Sequence, residues 1–151
     1  MGGFDEAWLR SYTARRAAAA PVPATDAISF TLCRPTPLLN VLLRMHWRSR
    51  QMLARSISAE IARLVPDLPG RQPLEHARVS VTRFSTQVPD QDNLMGCKIM
   101  IDALLVLSKR HPNGLGLIRD DDPAHLTLVV QSERCATRRE QRTEVVIKVL
   151  P

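Results

Sequence analysis

The stretch ARVSVTRFSTQVPDQDNLMGCKIMIDALLVL, residues 77–107, changes its period midway. Through ARVSVTRF apolar and polar side chains alternate, with Val79 and Val81 facing inward, which predicts a strand. Residues 93–107 follow as a predicted helix, with Asp92 in the position of an N-cap. The junction between the two elements carries Asp90 and Asp92, and the helix carries Lys98 and Asp102. Further on, RDDDP, Arg119–Pro123, sets three acids side by side. Six of the fifteen acids thus fall between residues 90 and 122 of a chain whose net charge is +6.

Outward from this stretch the same two periods recur. AISFTLC, residues 27–33, alternates Ile28, Phe30 and Leu32 and predicts the first strand. RPTP breaks it, and residues 38–64 predict one long helix. On a helical wheel Leu39, Leu42, Leu43, Leu53, Ile57, Ile61 and Leu64 share one side, while Arg44, Arg48 and Arg55 lie opposite. VPDLPGRQP is a loop. HLTLVVQ and TEVVIKV predict two more strands, facing inward through Leu126, Leu128 and Val130 and through Val145, Ile147 and Val149. Residues 5–20 predict a short helix ending in a proline-punctuated linker, so that 1–26 stand apart from a domain at 27–151. The expected fold is α+β: a single domain with a small mixed or antiparallel sheet flanked by helices, in the order β-α-β-α-β-β after the N-terminal helix.

Composition sets bounds on function. At 151 residues and 44% hydrophobic the chain can bury a real core. No apolar run approaches the ~20 residues that span a bilayer, so no membrane partner is expected. The N-terminus lacks the basic-then-apolar order of a secretory signal. Cys33, Cys97 and Cys135 form no close pair, which fits a reducing, cytoplasmic setting. His46, His76, His111 and His125 show no ligand spacing, which argues against structural zinc. A pI near 10.0 hints at a polyanionic partner. Eighteen of the 21 basic residues are arginine, however, a bias that a GC-rich genome produces equally well.

Asp90 and Asp92 are two apart, so on an extended backbone both carboxylates point the same way. Two such charges 4 Å apart repel by ~1 kcal/mol in water and ~4 kcal/mol at an effective dielectric of 20. Solvation or a bound cation relieves that repulsion. Magnesium suits one or two carboxylates supplemented by water and phosphate oxygens. Simpler readings stand beside this one. Asp-x-Asp is a common cap-and-turn pair, Asp120–Asp122 can be a solvated turn, and Lys98 with Asp102 makes an ordinary i,i+4 ion pair. Between Arg34 and Arg83, nine arginines face three acids. A basic body with an acidic pocket is the charge layout of a metal-dependent nuclease.

Four segments in consistent order resemble the RusA family of Holliday-junction resolvases, including its phage-borne members. They are FTLCRPTPLLN ending at Asn40, DQDNL at Asp90–Leu94, KIMIDAL at Lys98–Leu104, and GLIRDD at Gly116–Asp121. LNVLLRMHW, Leu39–Trp47, is similar to the phage-type branch, and the resemblance runs from about residue 27 to 149. An insertion at MGC, Met95–Cys97, lengthens the interval from Asp92 to Lys98 relative to the family pattern. The third acid, Asp122, leaves the register of the last motif open by one.

The resemblance implies a homodimeric crossover-junction endodeoxyribonuclease that cuts four-way or branched DNA in recombination, repair or phage DNA processing. Asp90, Asp92 and Asp121 would be catalytic metal-binding carboxylates, with Asp120 as an auxiliary ligand and Lys98 as the catalytic lysine. The cofactor would be magnesium, with manganese as a substitute. Arg44, Arg48 and Arg55, or the arginines of 134–142, would track DNA phosphates, and Asn40 would orient the DNA or merely end a turn. The alternative functions are a branched-DNA or single-strand binder without activity, and an interaction protein with an ordinary acidic surface.

Overall fold

The computed structural model describes residues 27–65, 68 and 71–151. The expected helix over 5–20 and the linker to residue 26 lie outside the described residues.

Four strands form where the period-two pattern predicts them: β1 (Ala27–Leu32), β2 (Ala77–Ser85), β3 (Leu126–Arg134) and β4 (Arg142–Val149). They build one sheet in the order β1-β4-β2-β3. β4 runs antiparallel to both of its neighbours, whereas β2 and β3 are parallel. The fold is therefore α+β with a mixed sheet, as expected.

A parallel pair needs a crossover that carries the chain back to the starting end of the sheet. Residues 86–125 make that return. They contain a 3-10 helix at Gln91–Cys97 and, running directly on from it, a helix at Lys98–Leu104. The crossover thus holds all six clustered acids and Lys98.

One face of the sheet is apolar. Ile28, Ile147, Val79 and Leu128 form one cross-strand row, and Phe30, Val145, Val81 and Val130 form the next. Val79, Val81 and Ile147 are fully enclosed, each contributing about 1.5–3 kcal/mol relative to exposure. The helices cover this face. α1 (Leu39–Arg44), α2 (Trp47–Leu64) and α3 (Lys98–Leu104) bring Ile57, Ile61, Met100, Ile101 and Leu104 into the same core. Val149, expected to face inward, is 39% exposed where β4 ends.

The single helix expected over 38–64 is two helices. α1 ends where the Met45 N–H bonds to the Leu42 carbonyl, and Met45 and His46 are extended. His46 then caps α2, its Nδ1 accepting from the Arg48 N–H at 3.2 Å. A wheel drawn through this break loses phase. Leu42, Ile57 and Ile61 are buried as expected, but Leu43 is 71% exposed and Leu64 42% exposed.

The helix expected over 93–107 is also shorter. Asp90, not Asp92, occupies the N-cap position of the 3-10 turn, with no side-chain cap bond, and Asp92 lies in the first turn. Gly96 permits a close backbone approach. A Cβ at that position would lie 2.0 Å from the Pro37 carbonyl oxygen, so the segment is pressed against the chain entering α1. α3 stops at Leu104 because Leu105 is extended and bridges to Ile118. The returning loop closes its end: Leu115 and Leu117 donate to the carbonyls of Ala103 and Leu104, each at 2.8 Å. Gly116 turns that loop at φ 75°, a conformation open to glycine at little cost. Among the described residues no helix is long and apolar enough to cross a membrane.

Candidate active site

Lys98 is the first residue of α3, and Asp102 follows one turn later on the same side. The Lys98 ammonium binds Asp102 Oδ1 and, at 2.5 Å, Asp121 Oδ2. The sequence predicts the first contact. The second arises because the loop after Ile118 returns past the start of α3.

The three adjacent acids have three different roles. Asp120 Oδ1 accepts the Asp121 N–H at 2.8 Å and so fixes that backbone. Asp121 faces Lys98. Asp122 Oδ1 accepts the N–H groups of Ala124 and His125 at 2.9 and 3.0 Å and lies 2.7 Å from His125 Nδ1. Asp122 is a turn residue leading into β3, which matches the solvated-turn reading for that one acid. The register left open by one places Asp121 beside the lysine.

The electrostatics follow from these contacts. The hydrogen bond from Lys98 holds the Asp121 carboxyl below the ordinary carboxylate range, and the ammonium charge and the Asp120 bond add to this against a burial effect of opposite sign. For Lys98, burial pulls the pKa down, but the bonds and charges of Asp102 and Asp121 outweigh it and leave the ammonium more basic than usual. Asp122 is lowered mainly by its hydrogen bond with His125.

Asp90 and Asp92 are exposed at the start of the 3-10 helix. Among the described residues their carboxylates make no hydrogen bond and no ion pair. Asn93, for which the sequence suggested no separate role, ties this segment to α1: its Oδ1 accepts the Asn40 N–H at 3.3 Å. Asn40 therefore abuts the acidic motif through its backbone, with its side chain exposed.

Lys98 and Asp102 also stand in the wall of a groove of about 470 Å3 between α1, α2 and α3, lined in addition by Leu42, Trp47, Met95 and His111. His111 is the residue that sequence reasoning missed. Its Nδ1 is enclosed with no hydrogen-bond partner, 3.9 Å from Asp102 Oδ1. Nothing local marks it, because the contact depends on how the loop after α3 folds back. Arg44, Arg48 and Arg55 are exposed, as the helical wheel predicts, and among the described residues none pairs with an acid. The Arg48 guanidinium lies 5.3 Å over the Trp47 ring.

The structure brings Lys98, Asp102 and Asp121 together. Among the described residues it does not gather three acidic, histidine or cysteine side chains into a metal-holding group. The donor chemistry nevertheless fits a magnesium ion bound through few protein ligands. Asp90 and Asp92 offer unengaged hard oxygen donors, and magnesium ordinarily completes its shell with water and phosphate. No protein-family model matches the chain, and a search of curated proteins finds no relative.

Proposed function

We propose that the protein is a metal-dependent endodeoxyribonuclease acting on branched DNA, most typically four-way junctions, as the RusA-like motif order implies. The observation that carries this reading is the seating of Lys98 between Asp121 and Asp102, at the start of the helix that runs on from the 3-10 turn bearing the two unengaged aspartates. An ammonium held by two carboxylates stays protonated at neutral pH and keeps one position. That is what a donor needs if it is to meet negative charge developing on a phosphate or a leaving oxygen. Asp90 and Asp92 would hold magnesium, with Asp121 and its auxiliary Asp120 at the edge of the same site. Bound there, the ion would lower the pKa of a coordinated water and offset charge on phosphorus. Arg44, Arg48 and Arg55 would take backbone phosphates and position the strand without reading its bases. Asn40, tied to Asn93, would set the acidic segment against α1.

Resolving a four-way junction requires two cuts in strands of like polarity, so two copies related by a two-fold axis would act together. The test is incubation of the protein with an end-labelled four-way junction, with and without magnesium. Paired, magnesium-dependent cuts near the branch point support the reading, and an uncut junction that is nevertheless bound refutes it.

One observation favours a second reading. Asp121 already has Oδ2 engaged by Lys98 and, among the described residues, belongs to no three-residue metal-type group. A branched-DNA or single-strand binder without cleavage would need no more than this. The same assay separates the two, because such a protein shifts the junction in a gel and leaves it intact.

A further inference from the structure

At the end of the sheet where β2 finishes, the apolar rows give way to one that is polar beyond Leu32: Leu32, Thr143, Arg83 and Ser132 are paired across β1, β4, β2 and β3. Arg83 has the same strand parity as Val79 and Val81, so its guanidinium is carried into the covered side of the sheet and is only 9% exposed. Its Nε donates to the Thr36 carbonyl and its Nη1 to Ser85 Oγ, each at 2.7 Å. Both acceptors are neutral. Among the described residues Arg83 enters no ion pair, although buried arginines are normally paired. Hydrogen bonds to neutral oxygens satisfy donors but leave the positive charge uncompensated. Burial accordingly draws the guanidinium below its ordinary basicity.

Arg83 opens onto a cleft of about 320 Å3 whose walls include Ser85, Thr86, Gln87, Arg138 and Gln141. No acid lines it. Of the acids nearest in sequence to Arg138, Glu140 accepts the Ala136 N–H, Glu144 pairs with Arg142, and Glu133 is exposed on β3 in register with Phe84, one position out of step with the Arg83 row. Ser85 Oγ donates to the Gln87 carbonyl and Gln141 Nε2 to Thr86 Oγ1, which ties the polar walls together, while the Arg138 guanidinium and the remaining Arg83 donors are left to receive a tetrahedral oxyanion.

We propose that this cleft is a phosphate subsite, distinct from the acidic site, that takes a backbone phosphodiester of a nucleic-acid strand. The proposal rests on the DNA-directed reading above. Gln87 and Asp90 are three residues apart and so separated by at most ~11 Å of extended chain. At ~3.4 Å of axial rise per nucleotide, a strand with one phosphate at the acids would place another in the cleft roughly three nucleotides away. The subsite would thereby fix the strand's register relative to the point of cutting.

The test is heteronuclear NMR of the full-length protein in EDTA, titrated with a short oligothymidylate and, separately, with inorganic phosphate. Binding to Arg138→Ala is measured in parallel across a salt series. Arg138 is exposed, so this variant keeps the fold even if Arg83→Lys does not. The expected result is that the oligothymidylate shifts the Arg83 Nε–H and the Thr86 and Gln87 amides at concentrations where inorganic phosphate barely does. Arg138→Ala should bind about tenfold more weakly, with a log–log salt slope smaller by about 0.7. Oligothymidylate binding that leaves these signals unmoved overturns the subsite. So does tighter occupancy by inorganic phosphate, which would make it a free-anion site, or failure to bind the strand at low salt. Because EDTA removes the metal, the result is independent of cleavage. Shifts here with an uncut junction in magnesium would sink the nuclease reading and leave the subsite standing, whereas cutting without these shifts would sink only the subsite.

Discussion

Lys98 Nζ lies 2.5 Å from Asp121 Oδ2 although 23 residues separate them in the chain. The contact joins the first turn of α3 to the loop that feeds β3, and it separates Asp121 from the acids on either side of it. Asp121→Asn should therefore reduce junction cutting at least ~100-fold, the scale of losing an electrostatic or metal-positioning group. Junction binding should persist or tighten, since removing a negative charge beside a phosphate cannot weaken attraction. Asp122→Asn should alter cutting less than about threefold and act mainly on the turn into β3. Rate measurements on the two variants decide the assignment, and a reversed order would transfer the role to Asp122.

The same pair predicts how stability varies with pH. Asp121 has a depressed pKa in the folded state, so its contribution is present above the ordinary carboxylate range and is lost as pH falls through the lowered value. Lys98 has a raised pKa, so its contribution is complete below the ordinary lysine range and is lost as pH rises through the raised value. Both groups are partly exposed, and solvent screening limits the pair to about 0.5 kcal/mol. Lys98→Met should accordingly be slightly less stable than the parent from about pH 5 to 10, with the curves converging at both extremes. Denaturant titrations across that range check this, and a gap that widened in acid would contradict it.

Magnesium should raise the melting temperature of the parent protein more than sodium chloride at equal ionic strength, because coordination is not screening. An ion at 100 times its dissociation constant adds about 2.7 kcal/mol. Asp90→Asn and Asp92→Asn should each remove the magnesium-specific part. Equal shifts from both salts, or shifts unchanged in the two variants, would argue against a metal at these acids. Calcium and manganese melts extend the comparison if magnesium binds weakly without DNA.

Gly96→Ala tests the docking of the acidic segment on α1. Its Cβ would meet backbone at Pro37, Leu38 and Leu39, none of which is a flexible side chain able to swing away. Overpacking against rigid neighbours costs about 1–3 kcal/mol or somewhat more. The variant should melt earlier and cut poorly even though every acid is intact. Unaltered melting would mean that the two segments separate easily.

Symmetry offers the last test. Parent protein mixed with excess Asp92→Asn protein should give junctions nicked in one strand at the expense of paired cuts, because most active copies would then have an inactive partner. Sedimentation showing one copy both free and on DNA would leave a simple nickase as the better account.

Local patterning was enough to locate the strands. Alternation at Ile28, Phe30 and Leu32, at Val79 and Val81, and at Val145 and Ile147 needs no partner to be recognised, since period two is a property of one extended segment. The Lys98–Asp102 pair is equally local, being one helical turn. Arg83 shares the parity of Val81, and only the packing of the turn at Thr36 shows where its donors go. The break at Met45–His46 depends on a cap of moderate strength that a wheel does not register.

What the sequence by itself determined is the placement of the four strands, the α+β class and the set of acids that follows β2. Tertiary structure alone decided that β4 inserts between β1 and β2, that Asp121 rather than Asp122 meets Lys98, that His111 lies beside Asp102, and that Arg83 is buried with only neutral partners among the described residues. The physical reason is range. Periodicity and capping act over one turn or one strand, whereas each of these contacts forms only when the chain returns to a distant segment and buries the same core.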